Sequence, residues 1–227
     1  MTAAHLLDLT RGVNTGEDAI GTRLLRHIIT GGLITVARAV TGAEARWVGC
    51  APSESPRIYI ANHTSHADFI LLWAALTPAL RSRTRPVAAA EYWGKNPVRR
   101  YLAEAIFRSV LIERDRVDRL HDPITPILKA LDRGCSLIMF PEGTRGDGAA
   151  LQPFKSGLFH VAELRPDIEL VPVWIDNLYR VLPKGSVVPA PLLCSATFGS
   201  PTHLQPGEDK RTFLARMQEA VTRLGEP

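Results

Sequence analysis

Six short apolar runs of strand-like length punctuate the chain: 57–61 (RIYIA), 86–90 (PVAAA), 108–112 (RSVLI), 135–140 (CSLIMF), 169–175 (ELVPVWI) and 192–198 (LLCSATF). Helix-like runs at 66–76, 96–106, 121–133, 155–164 and 208–224 separate most of them. Apolar strands alternating with helices require a sheet whose two faces are both covered. The expected fold is therefore α/β, with a mixed, largely parallel sheet between helical layers. At 227 residues the chain is sized for one main domain, which can bury a core without staples. Cys50, Cys135 and Cys194 are odd in number and outside any C-x-x-C spacing, so they read as buried thiols of a reducing compartment.

Ahead of the first run, residues 1–19 lack a period, and 20–46 read as two short amphipathic helices. Ile20, Leu24, Leu25, Ile28 and Ile29 share one face, with Thr22, Arg23, Arg26, His27 and Thr30 opposite. Gly31-Gly32 is expected to break the pattern before Leu33, Ile34, Val36, Ala37 and Val40 begin a second apolar face. Such a pair packs on a core or rests in a membrane interface. The chain is accordingly divided into a leader and amphipathic segment, 1–46, and a main domain, 47–227. The start, MTAAHLLDLTRG, lacks the basic n-region of a secretory signal. No uninterrupted apolar stretch reaches the roughly 18 residues of a membrane span, so no crossing is expected.

The net charge is only +4, but residues 81–119 hold ten Lys or Arg against five Asp or Glu. That excess suits anionic lipid or an acidic carrier protein, unless it is merely a solvated face. Nucleic acid is not an expected partner, because no zinc-finger or RNP pattern accompanies the charge.

Two stretches carry titratable groups between apolar runs. In NHTSHAD (Asn62–Asp68), His63 falls on the loop after the strand RIYIA, at the strand end where open α/β sheets bind ligands. Ser65 is expected to cap the following helix, with Asp68 in its first turn. A carboxylate on one imidazole nitrogen fixes the tautomer and leaves the other free to take a proton. His63 and Asp68 thus read as a general base and its orienter. A capping Asp beside a surface His, a metal site and a Ser65 nucleophile are competing readings. The histidine spacing does not match a metallo-hydrolase, and Ser65 lacks the G-x-S-x-G elbow. In FPEGTRGDG (Phe140–Gly148), Gly143, Gly146 and Gly148 allow close backbone approach to a ligand. Arg145 suits a phosphate, and Lys155 before the next helix adds a second charge. The alternative is an ordinary glycine-rich loop with a Glu142–Arg145 ion pair.

Taken together and in this order, NHTSHAD and FPEGTRG resemble the N-H-x-x-x-x-D and F-P-E-G-T-R motifs of the glycerolipid acyltransferase family, which includes 1-acylglycerol-3-phosphate acyltransferases. AIFRSVLIERD resembles the family's middle block, ending at Arg114, and LVPVWI its fourth block, with Pro172 as the matching proline. The resemblance covers roughly 47–200 and implies transfer of a fatty acyl group from acyl-CoA or acyl carrier protein to the hydroxyl of a lysophospholipid, 1-acylglycerol-3-phosphate first. His63 would act as base and Asp68 as its orienter, with no metal or cofactor. The acceptor phosphate is expected at the Glu142-Gly143-Thr144-Arg145 turn, chiefly on Arg145, with Arg114 and Lys155 as further cations. The Gly143–Thr144 backbone would meet the oxyanion, and His66 belongs to the helix start. The resemblance also implies a cytoplasmic enzyme held peripherally on the inner face of the cell membrane by residues 20–46. Two departures stand out: NPVRRYLAEAIF (Asn96–Phe107) replaces a glycine-rich Pro-x-x-Gly block, and Gly146 stands where many members have Ser. A hydrolase using the same pair and a non-catalytic lipid-binding module are the rival readings.

Overall fold

The computed structural model describes residues 16–65, 67–114, 122–146, 150–176 and 193–226. At its centre is β2 (Arg57–Ala61), buried along its whole length. Two parallel neighbours flank it, β5 (Ser136–Met139) and β6 (Glu169–Ile175). Beyond β5 lie β3 (Thr84–Ala89) and β4 (Val110–Ile112), also parallel. Beyond β6, β7 (Ser195–Phe198) runs antiparallel, and β1 (Glu44–Trp47) pairs parallel with it. The sheet order is β1-β7-β6-β2-β5-β3-β4. This is the mixed, largely parallel sheet that the apolar runs require.

Side chains alternate across each strand, and the core divides accordingly. Tyr59 and Ala61 join Ile138, Val171, Val173 and Phe198 on one face. Helix α1 (Gly16–Thr41) and helix α2 (Asp68–Ala75) cover it. Ile58 and Ile60 join Leu137 and Met139 on the other. That face lies under α6 (Ile124–Asp132), α7 (Gly157–Leu164) and α8 (Lys210–Arg223). Between β2 and β4 the chain adds α3 (Pro78–Arg83), α4 (Ala90–Trp93) and α5 (Pro97–Tyr101). The last of these widens into a π-helical turn, Leu102–Ile106. Neither α3 nor α4 is foreseen in the sequence, nor is β1, whose residues alternate between exposed and half-buried. The boundary read between 46 and 47 falls inside β1.

The amphipathic segment departs from its expected form. In place of two helices broken at Gly31-Gly32, α1 runs unbroken for 26 residues. Neither glycine has a positive φ, and a Cβ on either would meet nothing within 4 Å. Ile29, Leu33, Ile34, Ala37 and Val40 pack on the core. The guanidinium of Arg38 donates twice to the Ala74 carbonyl, at 3.1 and 2.9 Å, closing the end of α2. Gly21–Thr41 is long and apolar enough to cross a membrane by length and composition. The sequence reading found no such stretch because it counted only uninterrupted apolar residues. Part of the basic segment also turns inward: Arg81 is buried, donates to the Leu76 carbonyl at 2.8 Å and lies over the Trp73 ring.

Because the helix is continuous, Gly31→Ala and Gly32→Ala should each raise the unfolding free energy by about 0.5–1 kcal/mol. Urea denaturation measures this, and a loss of stability in both would favour the break read from the sequence.

Candidate active site

Parallel pairing of β2 with β5 matches Ile60 to Met139. Three residues beyond each partner stand His63 and Glu142, so two motifs remote in sequence emerge side by side at the carboxyl ends of adjacent strands. Asn62 secures the exit of β2. Its buried side chain accepts from the Ile175 N–H at 2.7 Å and donates to the Ile175 carbonyl at 3.0 Å, tying the loop to the end of β6.

Beyond Asn62 the loop folds around one carboxylate. Asp68, fully buried, accepts three hydrogen bonds on Oδ2: from the Thr64 N–H at 2.6 Å, the Ser65 N–H at 2.8 Å and His63 Nδ1 at 2.8 Å. An acceptor-only carboxylate in this role requires the hydrogen on Nδ1, which leaves Nε2 with its lone pair. The imidazole also stacks on Phe140, with centroids 4.4 Å apart and planes at 23°. Ring position, tautomer and tilt are thus all fixed, and the His63 side chain keeps 23% exposure. Ser65 does not cap α2 as expected. Its hydroxyl bonds the Ala67 N–H at 3.3 Å, and Ala67, the N-cap, makes no side-chain cap. The reason is that Asp68 turns back to the loop and draws the Ser65 backbone with it. His66 lies outside the described residues.

The second motif reaches the same peptide. Glu142 is 2% exposed, accepting from the His63 N–H at 2.6 Å and the Gln152 N–H at 2.8 Å. Burial pushes its carboxyl up from the ordinary glutamate range, against the pull of those two N–H groups and of His63. Engaged in this way, both Glu142 oxygens face main-chain N–H groups, an arrangement the expected role at the phosphate did not include. The Gly146 N–H donates to the His63 carbonyl at 2.8 Å, so the backbone of Arg145 lies one residue from that contact with His63. Arg145 and Thr144 are exposed. Gly143 adopts φ +70°, and a Cβ there would stand 2.7 Å from Lys155 Cε, so the Lys155 chain lies against the turn. The Gly143 N–H donates to the Phe140 carbonyl at 3.0 Å, which removes Gly143 from the expected oxyanion donors and leaves the Thr144 N–H. Arg114 is also committed: it pairs with Glu91 at 2.7 Å and donates to the Gly143 carbonyl. It braces the turn, and among the described residues Arg145 and Lys155 are the exposed cations left beside it.

The sequence model of a family described as Acyltransferase matches residues 40–176. The chain belongs to the Acyltransferase family. Among curated relatives, the 1-acyl-sn-glycerol-3-phosphate acyltransferase of Cocos nucifera is 26% identical over 187 residues, 76% of this chain and 56% of that protein. The enzyme of the same name from Escherichia coli (strain K12) is 29% identical over 141 residues, 59% of this chain and 52% of that protein. A lyso-ornithine lipid O-acyltransferase of Brucella abortus (strain 2308) is 30% identical over 125 residues, 53% of this chain and 42% of that protein. The matches thus span about half the length of these relatives. The crystal structure of the 1-acyl-sn-glycerophosphate acyltransferase PlsC of Thermotoga maritima shares the fold. Its TM-score is 0.65 at 17% identity, covering 97% of this chain and 85% of that one.

In this member of the family, sequence reasoning missed Asn62, Phe140, Glu91 and the Gln152 backbone as parts of the site. Asn62 and Phe140 adjoin the motif residues at the strand exits, which is a usable signal. Glu91 and Gln152 have none, since their partners are set by tertiary packing. Asp68→Ala strands two backbone N–H groups and the imidazole N–H, and should lower the unfolding free energy by about 2–4 kcal/mol. In urea denaturation it should cost clearly more than His63→Ala, which leaves those amides bonded; equal losses would contradict the loop geometry described.

Proposed function

We propose that this protein transfers a fatty acyl group from an acyl thioester, acyl-CoA or acyl-acyl carrier protein, to the free hydroxyl of a lysophospholipid. The acceptor named first is 1-acylglycerol-3-phosphate, giving phosphatidate. The observation that supports this reading is the double stitch between the His63–Asp68 loop and the Arg145 turn, by which an imidazole held by Asp68 adjoins a turn whose Arg145 is exposed.

Chemistry follows from that arrangement. His63 Nε2 takes the hydroxyl proton as the acceptor oxygen attacks the thioester carbonyl carbon. The tetrahedral oxyanion meets the Thr144 N–H. On its collapse the C–S bond breaks, and the imidazolium returns its proton to the departing thiolate. Asp68 stabilises the imidazolium between the two steps. Among the described residues no serine hydroxyl or cysteine thiol is hydrogen-bonded to the His63 ring, which favours direct transfer over an acyl-enzyme. Arg145, with Lys155 beside the turn, holds the acceptor phosphate so that its hydroxyl lies in reach of Nε2. The Brucella relative's name is a reason to test other lyso-lipids alongside.

A panel crossing both donors with several lyso-acceptors tests the assignment. His63→Ala should lower turnover by about 10²–10⁴-fold, while Arg145→Ala should raise the acceptor KM far more than the donor KM. Normal turnover by His63→Ala ends the general-base role, and acyl release without an acceptor would make the protein a hydrolase.

The same reading includes peripheral contact with the inner face of the cell membrane. Leu24, Ile28 and Val36 are each about three-fifths exposed and fall at helical spacing along α1. Arg23 and Arg26 lie nearby on the same helix. In sedimentation with liposomes of phosphatidylglycerol and phosphatidylethanolamine at low salt, the protein should pellet, and Leu24→Glu with Ile28→Glu should leave it in the supernatant. Failure of the unsubstituted protein to pellet would overturn the membrane contact.

A further inference from the structure

Acyl transfer through His63 gives Glu142 no chemical task, yet its side chain is among the most deeply buried charged groups in the chain. Burying a carboxylate without a counter-charge is costly, and among the described residues no Lys or Arg pairs with Glu142. What compensates it is backbone. Oε1 faces the N–H of His63, and Oε2 faces the N–H of Gln152, on the far side of the glycine-rich turn. The Gly146 N–H bonds the carbonyl of His63, so the same residue is held on both sides by one loop.

We propose that Glu142 is a positioning residue, whose ionised carboxylate clasps the main chain of His63 to that of Gln152 and so sets the imidazole and the Arg145 turn in one register. The inference rests on the acyl-transfer reading and deepens it. Two N–H groups converge on the two oxygens, and only the carboxylate can accept from both without presenting a hydrogen to either. A carboxamide of the same shape would turn an N–H₂ toward one of them. The turn would then be released on one side, either at the base or at Gln152. Loosening the base by a fraction of an ångström lowers turnover more than it weakens substrate binding, because proton transfer is more sensitive to distance than contact with the head group.

The test is Glu142→Gln, assayed with acyl-CoA and 1-acylglycerol-3-phosphate. Turnover should fall by about 10–100-fold with both KM values close to those of the unsubstituted protein. Unchanged turnover overturns the clasp. So does a rise confined to the acceptor KM, which would return Glu142 to direct contact with the substrate. Should the variant fail to fold, amide hydrogen exchange on the unsubstituted protein decides. The His63 and Gln152 amides should exchange far more slowly than the Thr144 amide, and exchange of all three at a common rate refutes the proposal. No turnover by the unsubstituted protein with any donor or acceptor would instead remove the acyl-transfer reading, leaving hydrogen exchange to judge the clasp by itself.

Discussion

The parallel pairing of β2 with β5 is the constraint on which the site depends. Ile58, Tyr59 and Ile60 stand against Leu137, Ile138 and Met139, all but Met139 without measurable exposure. A slip of one residue would turn Ile60 to the face occupied by Tyr59 and send the apolar set of one core into the other. Because both faces are packed, the register has no slack. The two loops that leave these strands therefore meet residue against residue, and the site is assembled by the sheet before any side chain in it makes a bond.

Charge in the site is layered. Below lie two buried carboxylates, Asp68 and Glu142, that accept from backbone N–H groups and the imidazole and pair with no Lys or Arg among the described residues, Asp68 using Oδ2 alone while its Oδ1 is left without a hydrogen bond. Above, at the rim, Arg145 and Lys155 are exposed, while Arg114 is neutralised by Glu91. An anionic floor favours the imidazole that has just accepted a proton, and a cationic rim favours an anionic head group. His63 sits between the two, with Phe140 as the apolar wall beside its ring.

Much of this was legible beforehand, for identifiable reasons. The six apolar runs became strands within a few residues of their expected limits, because burial on both faces leaves an unmistakable composition. The pairing of His63 with Asp68 was readable because five residues of loop and helix start connect them. β1 was not: Glu-Ala-Arg-Trp has little apolar character, and its place depends on Trp47 stacking on Phe198 at 4.0 Å across most of the chain. Gly31-Gly32 looked like a break because local propensity says so, whereas the turns on either side are held by packing and by Arg38. Glu142 and Arg114 were recognised as part of the site, but their main-chain and Glu91 partners were not foreseen. Whether a side chain at a strand exit points to solvent or beneath the loop depends on neighbours that no local pattern specifies.

The bond from Arg38 to the Ala74 carbonyl has a mechanical side. α2 carries Asp68 in its first turn and Ala74 in its last, so this eight-residue rod, about 12 Å long, bolts the carboxylate to α1. Any displacement of the last turns of α1 therefore reaches the His63–Asp68 pair through that strut.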